Sequence, residues 1–143
     1  MDKILKIQSE IGVLSKDKEN PFYKSSYFDI NSLIAQLLPL LEKNGLTVIQ
    51  PLHHDLNGKP MLMTKVFDGD KEIVNSSVPL PTTIFEKNKE KEGIERPMNS
   101  QEYGSAITYF RRYALQSLFL LQAEDDDGNK AKGRKLEDNE DPF

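Results

Sequence analysis

Hydrophobic positions change their period twice along this chain. Ile4, Ile7, Ile11 and Leu14 recur at helical spacing, which predicts an amphipathic helix at the start. The polar stretch KDKENPFYKSSYFD then reads as a loop. Leu33, Ile34, Leu37, Leu38 and Leu41 restore a helical stripe, with Asn31 as its N-cap and Gly45 as its stop. Pro39 falls inside that stripe. It lacks an N–H and its ring crowds the preceding turn, so a kink or two short helices is expected there.

The runs LTVIQPL, PMLMTKVF and KEIVNSSVPL that follow are short and β-prone, and HHDLNGK and DGD separate them. Both separators carry turn chemistry, with Gly58 and Gly69 able to take positive φ. Three strands with short links predict an antiparallel meander, in which Pro51 belongs on an edge strand or at a bulge. The segment TTIFEKNKEKEGIERPMNS reads as a long, charged, mobile connection. Ser100 caps a closing helix that runs to about Gln122. On this helix Ala106, Ile107, Phe110, Ala114, Leu118 and Leu121 are placed to pack on the sheet. After Ala123 periodicity stops and apolar residues nearly vanish, the pattern of a disordered tail. The expected fold class is α+β: N-terminal helices, then an antiparallel β-meander of about three strands packed on a long C-terminal helix. Residues 1–123 form the domain and residues 124–143 the acidic tail.

Charge sharpens this division. The chain of 143 residues has a formal net charge of −4. Eight of its 23 acidic residues and four of its 19 basic ones lie between Glu124 and Phe143, so Met1 to Ala123 is neutral. The acidity belongs to the tail and says little about the partners of the body. Cysteine is absent, which excludes disulfides and thiolate metal sites and suits a reducing cytoplasm. The N-terminal sequence MDKILKIQSE has no apolar run suited to a signal peptide or membrane span. A soluble cytoplasmic protein is expected.

Most chemical readings fail on spacing. With Gly128 at the sixth position of an EF-hand loop, Ala123 and Arg134 occupy the positions that require carboxylates. The run Glu124 to Asp127 is therefore read as a solvated helix end. His53 and His54 are adjacent, and on a strand they point to opposite faces, which is poor geometry for one metal. No nucleophilic triad, Walker loop or dinucleotide fingerprint is present. No cofactor and no metal is expected.

What remains is the pair Arg111 and Arg112, set in the most apolar helical stretch. Gly104, Thr108, Arg111 and Leu115 fall along one ridge of that helix, and Ser105, Tyr109 and Arg112 along the next. Gly104 admits close backbone approach, Thr108 can donate to phosphate, and guanidinium forks match phosphate oxygens. Tyr109 and Tyr113 offer π-faces to bases or to arginines. The strip alone does not choose between phosphate contacts and ion pairs at a structural or subunit interface.

The order QEYGSAITYFRRYALQSLFLLQAEDDDG resembles the signature of the Erf family of phage single-strand annealing proteins. The match lies in Gln101, Gly104, Ser105, Ala106, Thr108, Tyr109, Arg112, Tyr113, Leu115 and Asp125 to Gly128. Upstream, NPFYKSSYFDINSLI and LEKNGLTVIQ resemble the same family. Phe110 departs from its pattern, standing where a small residue is usual. The resemblance implies a fold related to the eukaryotic annealing ring, and ring or filament homo-oligomers. It also implies ATP-independent annealing of complementary single strands in phage recombination or replication, non-enzymatic because no covalent bond changes. By position, Arg111, Arg112, Thr108, Gly104 and Tyr109 are the DNA-binding candidates, with Lys24, Ser26 and Tyr27 beside them. The alternative is a protein that coats and protects single strands and recruits host replication factors.

That recruitment reading rests on the final residues, LEDNEDPF. They resemble the hook that bacterial single-strand-binding proteins present to replication and repair enzymes. Phe143 can fill an apolar pocket and its α-carboxylate can meet a cation, while Asp138, Glu140 and Asp141 steer the approach and Pro142 restricts the backbone. The same residues also fit a tail that merely maintains solubility.

Overall fold

The structure, a computed structural model, describes residues 1–14 and 29–123. Helix α1 (Asp2–Ile11) buries Ile4 and Ile7, and Ile11 packs beside them. It stops at Gly12, whose φ of +59° is readily taken by glycine. Leu14 therefore leaves the helical stripe to which its spacing assigned it and joins the two-residue strand β1 (Val13–Leu14).

Helix α2 (Ile30–Lys43) starts two residues earlier than expected for an Asn31 cap. Asp29 is the N-cap, and its carboxylate accepts the Ser32 N–H at 2.7 Å. Of the two expectations at Pro39, the division into two short helices does not occur: one helix runs through it. Pro39 and Ala35 both lie on the exposed side, where water can satisfy the carbonyl that loses its donor. Leu33, Leu37 and Leu41 on the opposite side anchor both halves in the core. Gly45, at φ +64°, follows the Asn44 C-cap and ends the helix as its sequence position suggested.

The meander forms as expected. Strands β2 (Leu46–Ile49) and β3 (Leu52–His54) pair with one side of β4 (Pro60–Asp68) in a single register, Ile49 opposite Lys65 and Leu52 opposite Leu62. They act as one edge strand interrupted at Gln50-Pro51. The Pro51 carbonyl still accepts the Met63 N–H at 3.0 Å, so the edge position tolerates its missing donor. Strand β5 (Lys71–Pro79) flanks β4 on the other side through a turn at Gly69, φ +58°, with a register shift between Val66 and Phe67. Alternation on β4 buries Leu62, Thr64 and Val66 beneath the helices.

The charged connection after the meander is not a loop. Thr83–Lys87 (β6) and Gly93–Pro97 (β7) form an antiparallel hairpin with Phe85 opposite Glu95. Its tip is closed by the Asn88 side chain, which accepts the N–H groups of Glu90 and Glu92 at 3.0 and 2.9 Å. Charge masked the alternation because both strand faces carry ionised residues. Helix α3 (Ser100–Phe119) is capped by Asn99 rather than Ser100, and Leu120 in the left-handed region ends it before Gln122. Its most buried residues are Leu115 and Phe119, neither of them among those expected to face the sheet. Ala106, Ile107, Phe110, Ala114, Leu118 and Leu121 are all half-buried. The difference arises because α3 lies where the sheet meets α1 and α2, so it buries two flanks rather than one. Burying a side chain the size of Phe119 contributes about 1.5–3 kcal/mol. Strand β8 (Gln122–Ala123) then pairs in parallel with β1.

Candidate nucleic-acid interface

With about 3.6 residues per turn, the two flanks of α3 divide its side chains clearly. Glu102, Ala106, Tyr109 and Phe110 face the hairpin together with Ile84 and Met98. Ile107, Arg111 and Leu115 face the opposite way, into a groove of about 370 Å³ shared with α2 and the edge strand. Between these flanks lie Gly104 and Thr108, both exposed, and the half-buried Arg112, with the exposed Ser105 on the hairpin side. Gly104, Thr108, Arg111 and Arg112 of the sequence-derived strip therefore share one arc of the helix, while its Ser105 and Tyr109 lie toward the hairpin.

Each member has a definite setting. A Cβ on Gly104 would meet nothing within 4 Å, so the helix backbone is open to close approach there. The Thr108 hydroxyl donates to the Gly104 carbonyl at 3.1 Å, within the helix. It presents lone pairs outward, and must rotate before it can donate to a phosphate as the sequence reading expected. Arg111 stands at the groove margin, and no carboxylate among the described residues forms an ion pair with it. Its carbonyl accepts from Gln50 Nε2 at 3.2 Å, and the same amide donates to the buried Thr64 hydroxyl at 3.1 Å. Gln50 thus pins α3 to the edge strand just where Arg111 emerges. The Arg112 guanidinium lies 5.6 and 5.0 Å from the ring centres of Tyr109 and Tyr113. Those two rings are 4.4 Å apart, and Tyr109 meets Phe110 edge-on at 5.5 Å. Phe110 lines both the cavity between α3 and the sheet and the one between α3 and the hairpin.

The hairpin is bolted to the first turn of α3. Arg96 forks onto Glu102 with bonds of 2.9 and 2.7 Å, and its Nε meets Glu86 at 2.8 Å. Glu102 also accepts the Asn99 N–H at 3.0 Å while Asn99 accepts that of Glu102, a complete capping box. The Arg96 hydrogen bonds, then the Asn99 N–H, hold the Glu102 carboxyl down to about 2. The two glutamates raise the Arg96 guanidinium further above its ordinary value. Neither Arg96 nor Gln50 stands out in sequence, since their partners are remote. The Asn99 to Glu102 spacing is a capping-box signature, a signal that the expectation of a Ser100 cap passed over.

The structure brings together Gly104, Thr108, Arg111 and Arg112 on one arc, and sets Tyr109 on the hairpin flank against Arg112. Lys24, Ser26 and Tyr27 lie outside the described residues, as do Asp138, Glu140, Asp141, Pro142 and Phe143. His53 and His54 are exposed on β3. Among the described residues, no group of three or more His, Asp or Glu side chains is placed to hold a metal ion. No helix of the described residues is long and apolar enough to cross a membrane.

An α+β chain with a meander, a bolted-on hairpin and a cationic, hydroxyl-bearing strip on its last long helix defines a class of candidate polyanion-binding proteins. The ERF superfamily model matches residues 1–142, and the chain belongs to that family. Membership connects it in general terms with phage single-strand DNA annealing and recombination. Comparison with curated proteins and with solved structures finds no significant match.

Proposed function

We propose that this protein binds single-stranded DNA along the α3 strip and anneals complementary strands without ATP. Base pairing drives the reaction; the protein aligns strands and neutralises phosphate charge, with no covalent step and no cofactor. The observation that carries this reading is that Gly104, Thr108, Arg111 and Arg112 share one arc of α3 and stay exposed or half-buried there, the same arc entering the core only further along, at Leu115 and Phe119. Arg111 and Arg112 are the phosphate ligands. Gly104 admits the backbone of the strand, Thr108 supplies a rotatable hydroxyl, and Tyr109 supplies a ring edge. Lys24, Ser26 and Tyr27 are further contacts supported by the family resemblance. One small neutral domain offers few phosphate contacts, so homo-oligomers that repeat the strip are part of the proposal, as is action in a host bacterial cytoplasm.

Residues 1–123 form the annealing unit in this reading, and residues 124–143 an acidic tail whose Asp138, Glu140, Asp141, Pro142 and Phe143 engage host replication or repair proteins. A protein that coats single strands and recruits such factors would use the same tail. Mixing complementary labelled oligonucleotides with protein, without ATP or divalent metal, separates the two. Annealing predicts faster duplex formation than in buffer alone; coating predicts strands that are bound yet pair more slowly.

A further inference from the structure

The hairpin carries a feature that neither the core nor the DNA strip uses. Phe85 is 73 % exposed, the most exposed aromatic ring among the described residues. Yet it is held in place: a Cβ on Gly93 would fall 2.4 Å from the ring, so the phenyl group lies across the glycine. Its cross-strand neighbour is Glu95, whose carboxylate accepts the Thr83 hydroxyl at 2.6 Å. Ring and carboxylate therefore stand side by side on the hairpin face that alternation turns away from Ile84 and α3.

On the far flank of α3 the groove offers the complementary chemistry. Ile34, Leu38, Leu52 and Ile107 make it apolar, and Leu38 and Leu52 are each 56 % exposed. Arg111 stands in it without an ion pair among the described residues. An aromatic ring with a carboxylate beside it matches an apolar groove with a guanidinium in it. Both halves are on this one chain, on opposite flanks of the same helix.

We propose that the α2–α3 groove receives the hairpin of a second copy of this chain, Phe85 entering the apolar cleft and Glu95 meeting Arg111. A knob and a socket on different surfaces make a heterologous interface, which propagates into a ring or filament rather than closing as a dimer. Because knob and socket flank the strip, each added copy sets its α3 beside the last, and the phosphate-binding arcs become continuous. Arg111 serves both partners: its planar fork has five N–H donors, enough for Glu95 on one edge and a phosphate on another. The Arg96–Glu102 bolt holds the knob at a fixed angle to the socket on the same chain.

This inference rests on the proposed strip only for what the assembly aligns, and its test needs no DNA. Phe85→Ala removes the knob and keeps the socket; Leu38→Lys spoils the socket and keeps the knob. Both positions are exposed, and circular dichroism should show the parent's spectrum. Sedimentation velocity should find the parent as a higher oligomer and each variant as a monomer. An equimolar mixture of the two should form a dimer and nothing larger, because one sound interface remains. A parent that is monomeric, variants that assemble like the parent, or a mixture that stays monomeric would each overturn the proposal. So would Phe85→Ala assembling normally while losing oligonucleotide, which would make the ring a base-stacking surface instead. Failure of the DNA reading is seen separately, as an Arg112→Ala protein that binds oligonucleotide like the parent while the knob and socket variants behave as described.

Discussion

Replacing Arg112 by alanine and by lysine distinguishes a phosphate ligand from a structural arginine. Its guanidinium lies against Tyr109 and Tyr113 at 5.6 and 5.0 Å. Exposed contacts of this kind contribute about 0.5–1 kcal/mol. Loss of these ring contacts in Arg112→Ala should by itself lower the melting temperature by about 2–4 °C in a domain of this size. Its effect on binding is of another kind. Each phosphate contact to a single strand contributes roughly 0.7 to the slope of log affinity against log salt, so raising salt from about 50 to about 200 mM costs about 2.6-fold per contact. Arg112→Ala should lose that slope once for every subunit holding the strand, leaving its deficit largest at low salt. Arg112→Lys keeps the charge and loses the fork and the stacking. It should bind more weakly at every salt concentration but with the parental slope. Fluorescence anisotropy of a labelled oligonucleotide across a salt series measures both quantities. An alanine variant with the parental slope, or a lysine variant that loses slope as fully as alanine does, would refute the assignment.

The hairpin bolt should be sensitive to acid. An unfolded glutamate titrates near about 4.3, whereas Glu102 in the fold is held to about 2, so the folded state binds fewer protons between these values. Its stabilising contribution is full above the unfolded value and is lost as pH falls through the folded one. Glu102→Gln should weaken the bolt at neutral pH and flatten the stability profile of the hairpin in that window, read by hydrogen exchange at Glu86 and Ile94; an unchanged profile would show that the bolt does not govern the hairpin. For the tail, deletion of Phe143 alone should abolish capture of a host replication or repair protein while leaving oligonucleotide affinity unchanged. Capture that survives this deletion but fails when Asp138, Glu140 and Asp141 are neutralised would leave only electrostatic attraction.

Local physical chemistry made much of this molecule legible before any coordinates. The stripe from Leu33 to Leu41 dictates α2 because its period is set within one segment, and Gly45 ends it by taking a φ that other residues resist. The meander follows from alternation plus turn residues, and Pro51 announces an edge because it lacks a donor. The strip on α3 was readable for the same reason: helical spacing places Gly104, Thr108, Arg111 and Arg112 on one arc whatever surrounds them. Pro39 shows the limit of local rules. Local rules allow a division into two helices there, but burial of Leu33, Leu37 and Leu41 on the other face outweighs the lost bond and keeps one helix. The hairpin was hidden because ionised residues fall on both faces of its strands, and because Arg96 ties it to Glu102 in another element. Only the tertiary structure could set α3 between the hairpin and α2, burying Leu115 and Phe119 and placing Arg111 at a groove. Spacing specifies which side chains share a face; which face meets which neighbour is decided by how the helices and sheet pack their apolar surfaces together.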